Sequence, residues 1–192
     1  SVGDREVDED TSLNFLLSAS DIEGDLLTYS VSSGTNIISA LVGNDLTFTP
    51  DQDFNGSESF TVSVSDGELS NSETFALIVN AVNDAPILAT VSDTNFDEDD
   101  SGSMSLAGLG SDVDGDSLEF SISGGSDITA TLEGSDVSFS APANYNGSEE
   151  FSISVSDGEY SDSQSISVTV IAFNDAPVAN ATSGETAEDQ SV

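Results

Sequence analysis

Hydrophobic and polar residues alternate with a period of two through much of this chain. Leu27, Tyr29 and Val31 are interleaved with Thr28, Ser30 and Ser32, and the pattern continues at Phe60/Val62/Val64 and Phe75/Leu77/Val79. It returns at Leu118/Phe120/Ile122, Phe151/Ile153/Val155 and Ile166/Val168/Val170. Successive side chains of a β-strand point to opposite faces, so this alternation predicts strands with one face buried. Turn-forming Gly43-Asn44-Asp45, Asn55-Gly56 and Asp66-Gly67 separate the strands and leave no room for helices.

The sequence also repeats itself. Shifted by 91 residues, Asp21–Pro86 lies on Asp112–Pro177 without a gap, and 31 of the 66 pairs are identical. Asp21-Ile-Glu-Gly-Asp25 falls on Asp112-Val-Asp-Gly-Asp116, and Phe54-Asn-Gly-Ser-Glu58 falls on Tyr145-Asn-Gly-Ser-Glu149. Ser65-Asp-Gly-Glu68 matches Ser156-Asp-Gly-Glu159, and Asn83-Asp-Ala-Pro86 matches Asn174-Asp-Ala-Pro177. The opening Val7-Asp-Glu-Asp10 recurs as Phe96-Asp-Glu-Asp99 and again at Ala187-Glu-Asp189. The expected organisation is one repeat over 1–86, a second over 87–177 and the start of a third over 178–192. About seven short strands in roughly 90 residues is the count of a Greek-key sandwich, so the predicted fold is all-β, with two tandem immunoglobulin-like β-sandwich domains.

Charge narrows the functional classes. The chain carries 37 Asp and Glu against a single basic residue, Arg5, for a net charge of −36. Nucleic acid and anionic membrane surfaces are therefore poor partners, and neither is expected. Carboxylates about 4 Å apart repel by roughly 4 kcal/mol at an effective dielectric near 20, so clustered acids need salt screening or bound cations. General adaptation to a salty medium is the plainer explanation of the acidity. With no Cys, no His and no Lys, the chain has no disulfides, no Ser-His-Asp or Cys-His pairs, no Schiff-base chemistry and no histidine-rich zinc site. No apolar run approaches the roughly 18 residues of a membrane span, so no membrane insertion is expected. Paired carboxylates can hydrolyse glycosides when set about 5–10 Å apart, but nothing suggests a large cleft, and the expectation is a non-enzyme.

The Asp-x-Asp/Glu-Gly-Asp loops, Asp21/Glu23/Asp25 and Asp112/Asp114/Asp116, each offer three carboxylates within five residues. Such a density of oxygen ligands fits Ca²⁺, which takes 6–8 oxygens at about 2.3–2.6 Å. The loops are not EF-hands: Gly is fourth rather than sixth, and Ser32 or Ser123 stands at the twelfth position. A solvated turn is the alternative reading. Asn55-Gly56 and Asn146-Gly147 read as turns, Glu58 and Glu149 as ligand candidates just ahead of a strand. Asp66 and Asp157 read either as ligands or as ordinary Asp-Gly turns. The recurrence of Glu9-Asp10 as Glu98-Asp99 favours a role over solvated edge charges.

Together these residues resemble the bacterial cadherin-like tandem repeats of large secreted and cell-surface adhesins. The resemblance rests on the Glu-Asp strand opening, the Asp-x-Asp-Gly-Asp loop, Phe-Asn-Gly-Ser-Glu-Ser-Phe, Val-Ser-Asp-Gly and the closing Val-Asn-Asp-Ala-Pro. It covers both repeats. Likeness to true cadherins is looser, since the cadherin linker is shortened here to Asn83-Asp84 and the cadherin Asp-Arg-Glu motif has no Arg counterpart. The resemblance implies Ca²⁺ between successive repeats. Glu9, Glu58, Asn83 and Asp84 of the first repeat would act with Asp112, Asp114 and Asp157 of the second. Asp21, Glu23 and Asp66 would serve a junction with a preceding repeat, and Glu98, Glu149, Asn174 and Asp175 a junction with the third. The implied function is a calcium-binding extender or adhesion module outside the cell, whose partners are neighbouring repeats of its own chain. The alternative is a module binding polysaccharide or a like domain on another cell. Exposed aromatic rings would favour that alternative; the chain has no Trp, and Tyr160 is the candidate after Tyr29 (core) and Tyr145 (turn).

Overall fold

Each of the six alternating segments contains a strand. The computed structural model describes residues 1–179, which divide into one unit over Ser1–Asp84 and a second that starts at Ala85. The division falls two residues before the expected boundary at Pro86. The third repeat expected over 178–192 lies outside the described residues, apart from Val178 and Ala179.

Unit 1 is built from seven strands: β1 (Arg5–Asp8), β2 (Leu13–Leu16), β3 (Thr28–Val31), β4 (Ile37–Val42), β5 (Asp45–Pro50), β6 (Gly56–Ser65) and β7 (Ser70–Asn80). They form a four-stranded sheet in the order β1-β7-β6-β3 and a three-stranded sheet in the order β2-β5-β4. All pairings are antiparallel except β1 with β7, where Val7 lies opposite Val79. The inward-facing residues of both sheets meet in one core around Phe48, Phe60 and Phe75. Phe48 and Phe60 lie with ring centroids 4.5 Å apart and planes tilted by 57°, and Phe75 meets Phe48 edge-on at 5.9 Å. Burying such rings is worth about 1.5–3 kcal/mol each, which holds the sheets together without a disulfide.

Unit 2 repeats the plan with β9 (Thr94–Asp97), β10 (Ser101–Ser105), β12 (Glu119–Gly124), β13 (Thr129–Glu133), β14 (Asp136–Ser140), β15 (Gly147–Ser156) and β16 (Ser161–Ile171). The sheets are β12-β15-β16-β9 and β10-β14-β13, with β9 parallel to β16. Its core packs around Phe139, Phe151, Ile153 and Val168. Unit 2 adds a two-residue ribbon in which β8 (Ile87–Leu88) pairs antiparallel with β11 (Gly110–Ser111). Among the described residues there is no helix, and hence none long and apolar enough to cross a membrane.

Candidate metal centre

Among the described residues, two groups of carboxylates converge, one in each unit. In unit 1, Asp10, Asp53 and Asp84 bring oxygen atoms within 4.8 Å of one another. Asp10 follows β1, Asp53 sits in the turn between β5 and β6, and Asp84 ends the segment leaving β7, so three separate connections meet at one end of the sandwich. Asp10 and Asp53 both adopt left-handed backbone, and Asp53 N–H donates to Asp10 Oδ1 at 3.2 Å. Left-handed geometry is uncommon outside glycine and is best tolerated by Asp and Asn.

Glu9 stands beside Asp10 and is only 3% exposed. Its backbone N–H donates to Asn80 O at 3.0 Å, and its Oε1 accepts Val82 N–H at 2.6 Å, tying the exit of β7 to the end of β1. Glu9 Oε2 is buried without a hydrogen-bond partner. A buried unpaired carboxylate oxygen is costly, which makes it a place where a cation would be stabilising. Unit 2 repeats the scaffold: Glu98 accepts Phe173 N–H at 2.7 Å, and Asn144 N–H donates to Asp99 Oδ1 at 3.0 Å. Asn144 stands where unit 1 has Asp53, removing one charge.

In unit 2, Asp112, Asp114 and Asp116 converge within the same 4.8 Å limit. Asp112 Oδ1 shapes the loop by accepting N–H from Gly115 at 3.0 Å and from Asp116 at 3.2 Å. Its Oδ2 is buried and has no hydrogen-bond partner. Asp21 shapes the unit 1 loop alike, bonding Gly24 and Asp25 N–H at 2.8 and 3.0 Å. Asp21, Glu23 and Asp25 are not drawn together to that limit.

Several expected ligands carry structural duties in these folds. Glu58 accepts N–H from Thr35 at 2.9 Å and Asn36 at 2.8 Å, with Asn36 Nδ2 at 3.0 Å. Burial pushes its carboxyl up, but these N–H groups outweigh it and hold the pKa below the ordinary value. Glu149 accepts N–H from Ser126, Asp127 and Ile128 at 2.7, 3.1 and 3.0 Å, which likewise lowers its pKa. Gly125 permits this close wrap, at φ 72°, where a Cβ would run into the Ile128 carbonyl and the Phe151 ring. Asp66 and Asp157 each close an Asp-Gly turn: Leu69 and Glu68 N–H hold Asp66 low, and Glu159 and Tyr160 N–H bond Asp157 at 2.7 and 2.6 Å. Asn83 and Asn174 each donate through Nδ2 to the next residue's carbonyl at 3.2 Å. The carboxylates of Glu58, Glu149, Asp66, Asp157 and Asp175 do not belong to the two converging groups. Asp10, Asp53 and Asp116 do belong to them, although the cadherin-like resemblance assigns none of the three, and Asp53 carries no signal in the sequence. Asp116 was visible in the loop motif, and Asp10 in the recurring Glu-Asp pair.

Protein cations do not neutralise the groups. The Arg5 guanidinium lies 4.8 Å over the Phe15 ring, and the N-terminal ammonium is 3.7 Å from Glu73.

The bacterial Ig domain family matches residues 1–78 and again 83–169. The chain belongs to this family. Solved structures similar to this bacterial Ig domain pair include human protocadherin-24 EC1-2, at 21% identity and TM-score 0.51 over 85% of this chain and 88% of that one. Drosophila N-cadherin EC1-4 aligns at 18% identity and TM-score 0.54, covering 90% of this chain and 47% of that chain. Mouse cadherin-23 EC22-24 aligns at 17% identity and TM-score 0.53, covering 90% and 63%. These are likenesses of fold. The chain also spans 28% of an endo-fucoidan hydrolase of glycoside hydrolase family 107, at 23% identity and TM-score 0.38. No curated protein matches the sequence. Two tandem Ig-like sandwiches form a repeat module of a kind typical of non-catalytic proteins.

Proposed function

We propose that this bacterial Ig domain pair is a calcium-binding extender in a secreted or cell-surface protein. The observation that carries the proposal is the convergence of Asp10, Asp53 and Asp84 beside buried Glu9, with Glu9 Oε2 left unpaired. The donors fit the ion. They are all hard oxygens, they converge from separate connections, and extracellular calcium modules commonly bind at about 10⁻⁴–10⁻³ M. Glu9, Asp10, Asp53 and Asp84 would hold an ion in unit 1, and Asp112, Asp114 and Asp116 in unit 2; calcium there supplies charge neutralisation and cross-linking of separate loops. Repeats in such an array meet only their neighbours, so spacing and stiffness are their natural products. Asn83-Asp84 closes one repeat immediately ahead of the next, and from that sequence order alone we include sharing of ions by successive repeats, with Asp157 and the counterparts Glu98, Asn174 and Asp175, in the proposal.

The test is thermal unfolding in EDTA and in millimolar Ca²⁺. A ligand at a hundred times its dissociation constant adds about 2.7 kcal/mol per site, a large share of a domain's 5–15 kcal/mol. A marked upward shift with Ca²⁺ is expected, diminished by Asp10→Asn with Asp53→Asn. An equal shift from NaCl of matched ionic strength would leave charge screening as the explanation. The carbohydrate-binding alternative has Tyr160, 45% exposed, as its single tyrosine platform, and titration against a polysaccharide panel tests it.

A further inference from the structure

The outward row of strand β4 in unit 1 is apolar, whereas its counterpart in unit 2 is polar. Ile37-Ile-Ser-Ala-Leu-Val42 is apolar at every position but one, the pattern of a strand buried on both faces. Only one face is buried. Ile37 lies in the core with Leu41 packed against it, while Ile38, Ala40 and Val42 point outward, Ile38 63% and Val42 80% exposed. At the repeat shift of 91 these three fall on Thr129, Thr131 and Glu133 of β13, which are exposed as well. Strand β13 thus has the polar, charge-bearing row that keeps a sheet edge from pairing, and β4 has an aliphatic one.

Strand β4 is also an open edge, since it ends the sheet order β2-β5-β4. Asn36 O accepts Asp51 N–H at 2.7 Å, so Ile38, Ala40 and Val42 take the hydrogen-bonded places opposite Thr49, Thr47 and Asp45 of β5. The main-chain groups of Ser39 and Leu41 are turned the other way, to the open side. The charge pattern argues for the occupant. Acidic residues number 37 of 192, yet residues 26–44 hold no charged residue, the longest such run in the chain at 19 positions. The matching run in unit 2 is broken by Glu119, Asp127 and Glu133. The one carboxylate paired with β4, Asp45, accepts Asn14 Nδ2 at 2.6 Å from β2, on the far side of β5. A partner recognised by positive charge would dock on the acidic surface instead. A second copy of this chain, itself at −36, is repelled wherever carboxylates meet carboxylates and is spared that along β4.

We propose that two copies of the chain pair through β4 of unit 1, edge to edge and antiparallel, about a two-fold axis at Ala40. That register sets Ala40 against Ala40, and Ile38 of each copy against Val42 of the other, so every outward aliphatic side chain meets another. Ser39 and Leu41 then exchange ladder hydrogen bonds with Leu41 and Ser39 of the second copy. Sliding the strands to the next such register would set Val42 against Asn36. The contact is isologous, so it consumes both edges and closes as a dimer. Monovalent salt strengthens it by screening the repulsion between two acidic chains. The pairing uses none of the carboxylates assigned to calcium, so it stands or falls apart from that reading.

Sedimentation equilibrium of the full chain, in EDTA and raised NaCl, tests the proposal. The wild type should form dimers and nothing larger as concentration rises. Val42→Glu, at an exposed position, should leave the unit 1 melting temperature unchanged and weaken dimerisation by about 100-fold, since each dimer loses two buried Val side chains. Thr131→Glu, at the matching outward row of unit 2, should leave dimerisation as it is. Cysteine substitutions read the register, because the chain has no Cys of its own. Residues opposite one another in a non-hydrogen-bonded pair have Cα atoms about 4.5 Å apart, within disulfide reach. Ala40→Cys should therefore oxidise to a cross-linked dimer, with Thr131→Cys reporting the rate of chance collision. Ile38→Cys mixed with Val42→Cys should cross-link, and neither should do so alone. A wild type that stays monomeric overturns the proposal, as do dimers untouched by Val42→Glu. Ala40→Cys cross-linking no faster than Thr131→Cys overturns it as well, and Ile38→Cys cross-linking as fast alone as in the mixture overturns the register.

Discussion

Asp53 donates its backbone N–H to Asp10 Oδ1 at 3.2 Å, and the two residues hold positive φ values of 56° and 58°. Asn144 and Asp99 repeat this arrangement in unit 2 at 3.0 Å, with φ of 59° and 63°. The backbone pairing is thus independent of whether the turn residue is charged. What Asp53 adds over Asn144 is a third carboxylate in the cluster. Asp53→Asn should leave the fold intact and raise stability in EDTA by about 1 kcal/mol, the solvent-screened repulsion of charges at this separation. The same change should weaken calcium binding by about tenfold, read by calorimetric titration. Loss of stability in EDTA would mean that the carboxylate holds the turn rather than an ion.

Glu58 and Glu149 make acid the condition that loosens both units. Burial raises the Glu58 carboxyl, Asn36 and Thr35 N–H lower it more, and Ser126 and Asp127 N–H lower that of Glu149. A carboxyl with a folded pKa below its unfolded value gives stability that is present above the unfolded value and is lost as pH falls through the folded one. Stability should therefore decline from about pH 4.5 downward. Glu149→Gln should flatten that decline in unit 2 and lower the melting temperature at pH 7, whereas Glu150→Gln should do neither. Melting curves from pH 7 to pH 3 decide it.

The sandwich fold was legible because period-two alternation reports directly which side chains face a core, and because the repeat doubled every observation. The ends of the strands were less so. Glu58 lies within β6 rather than ahead of a strand, 22 residues from Asn36, and nothing local in the sequence says that its carboxylate will be taken up by the amides of a distant turn. Asp53 was hidden by the repeat itself: its counterpart is Asn144, so comparing the units removed it from view. Asp10 and Asp84 lie 74 residues apart and meet only because β1 pairs in parallel with β7, a register that alternation cannot reveal.

Each unit has its own aromatic core, so damage to one should stay there. Phe151 is 1% exposed and meets Phe139 edge-on at 5.4 Å. Phe151→Ala should cost unit 2 about 3–5 kcal/mol through lost burial and the cavity left behind. Calorimetry should then show two separated transitions, with the unit 1 transition unmoved. A single transition shifted as a whole would show that the two cores unfold as one.

Sharing of ions by successive repeats predicts an energetic coupling that separate sites would lack. Asp84 closes the first repeat and belongs to the unit 1 cluster, while Asp112 belongs to the unit 2 cluster. If each cluster holds its own ion, Asp84→Asn and Asp112→Asn weaken different sites, and their effects on calcium affinity add. If the two residues serve the same ions, the first substitution already removes part of what the second would remove, and the double variant loses less than the sum. Residues acting on one site commonly show coupling of about 0.5–3 kcal/mol, against about 0.3–0.5 kcal/mol of scatter for independent ones. Calcium titrations of the four proteins complete the cycle, with Glu23→Gln, outside both clusters, as the additive control. Coupling above that scatter is the expected result. Strict additivity would confine each ion to its own repeat and remove calcium as the element that fixes one repeat against the next.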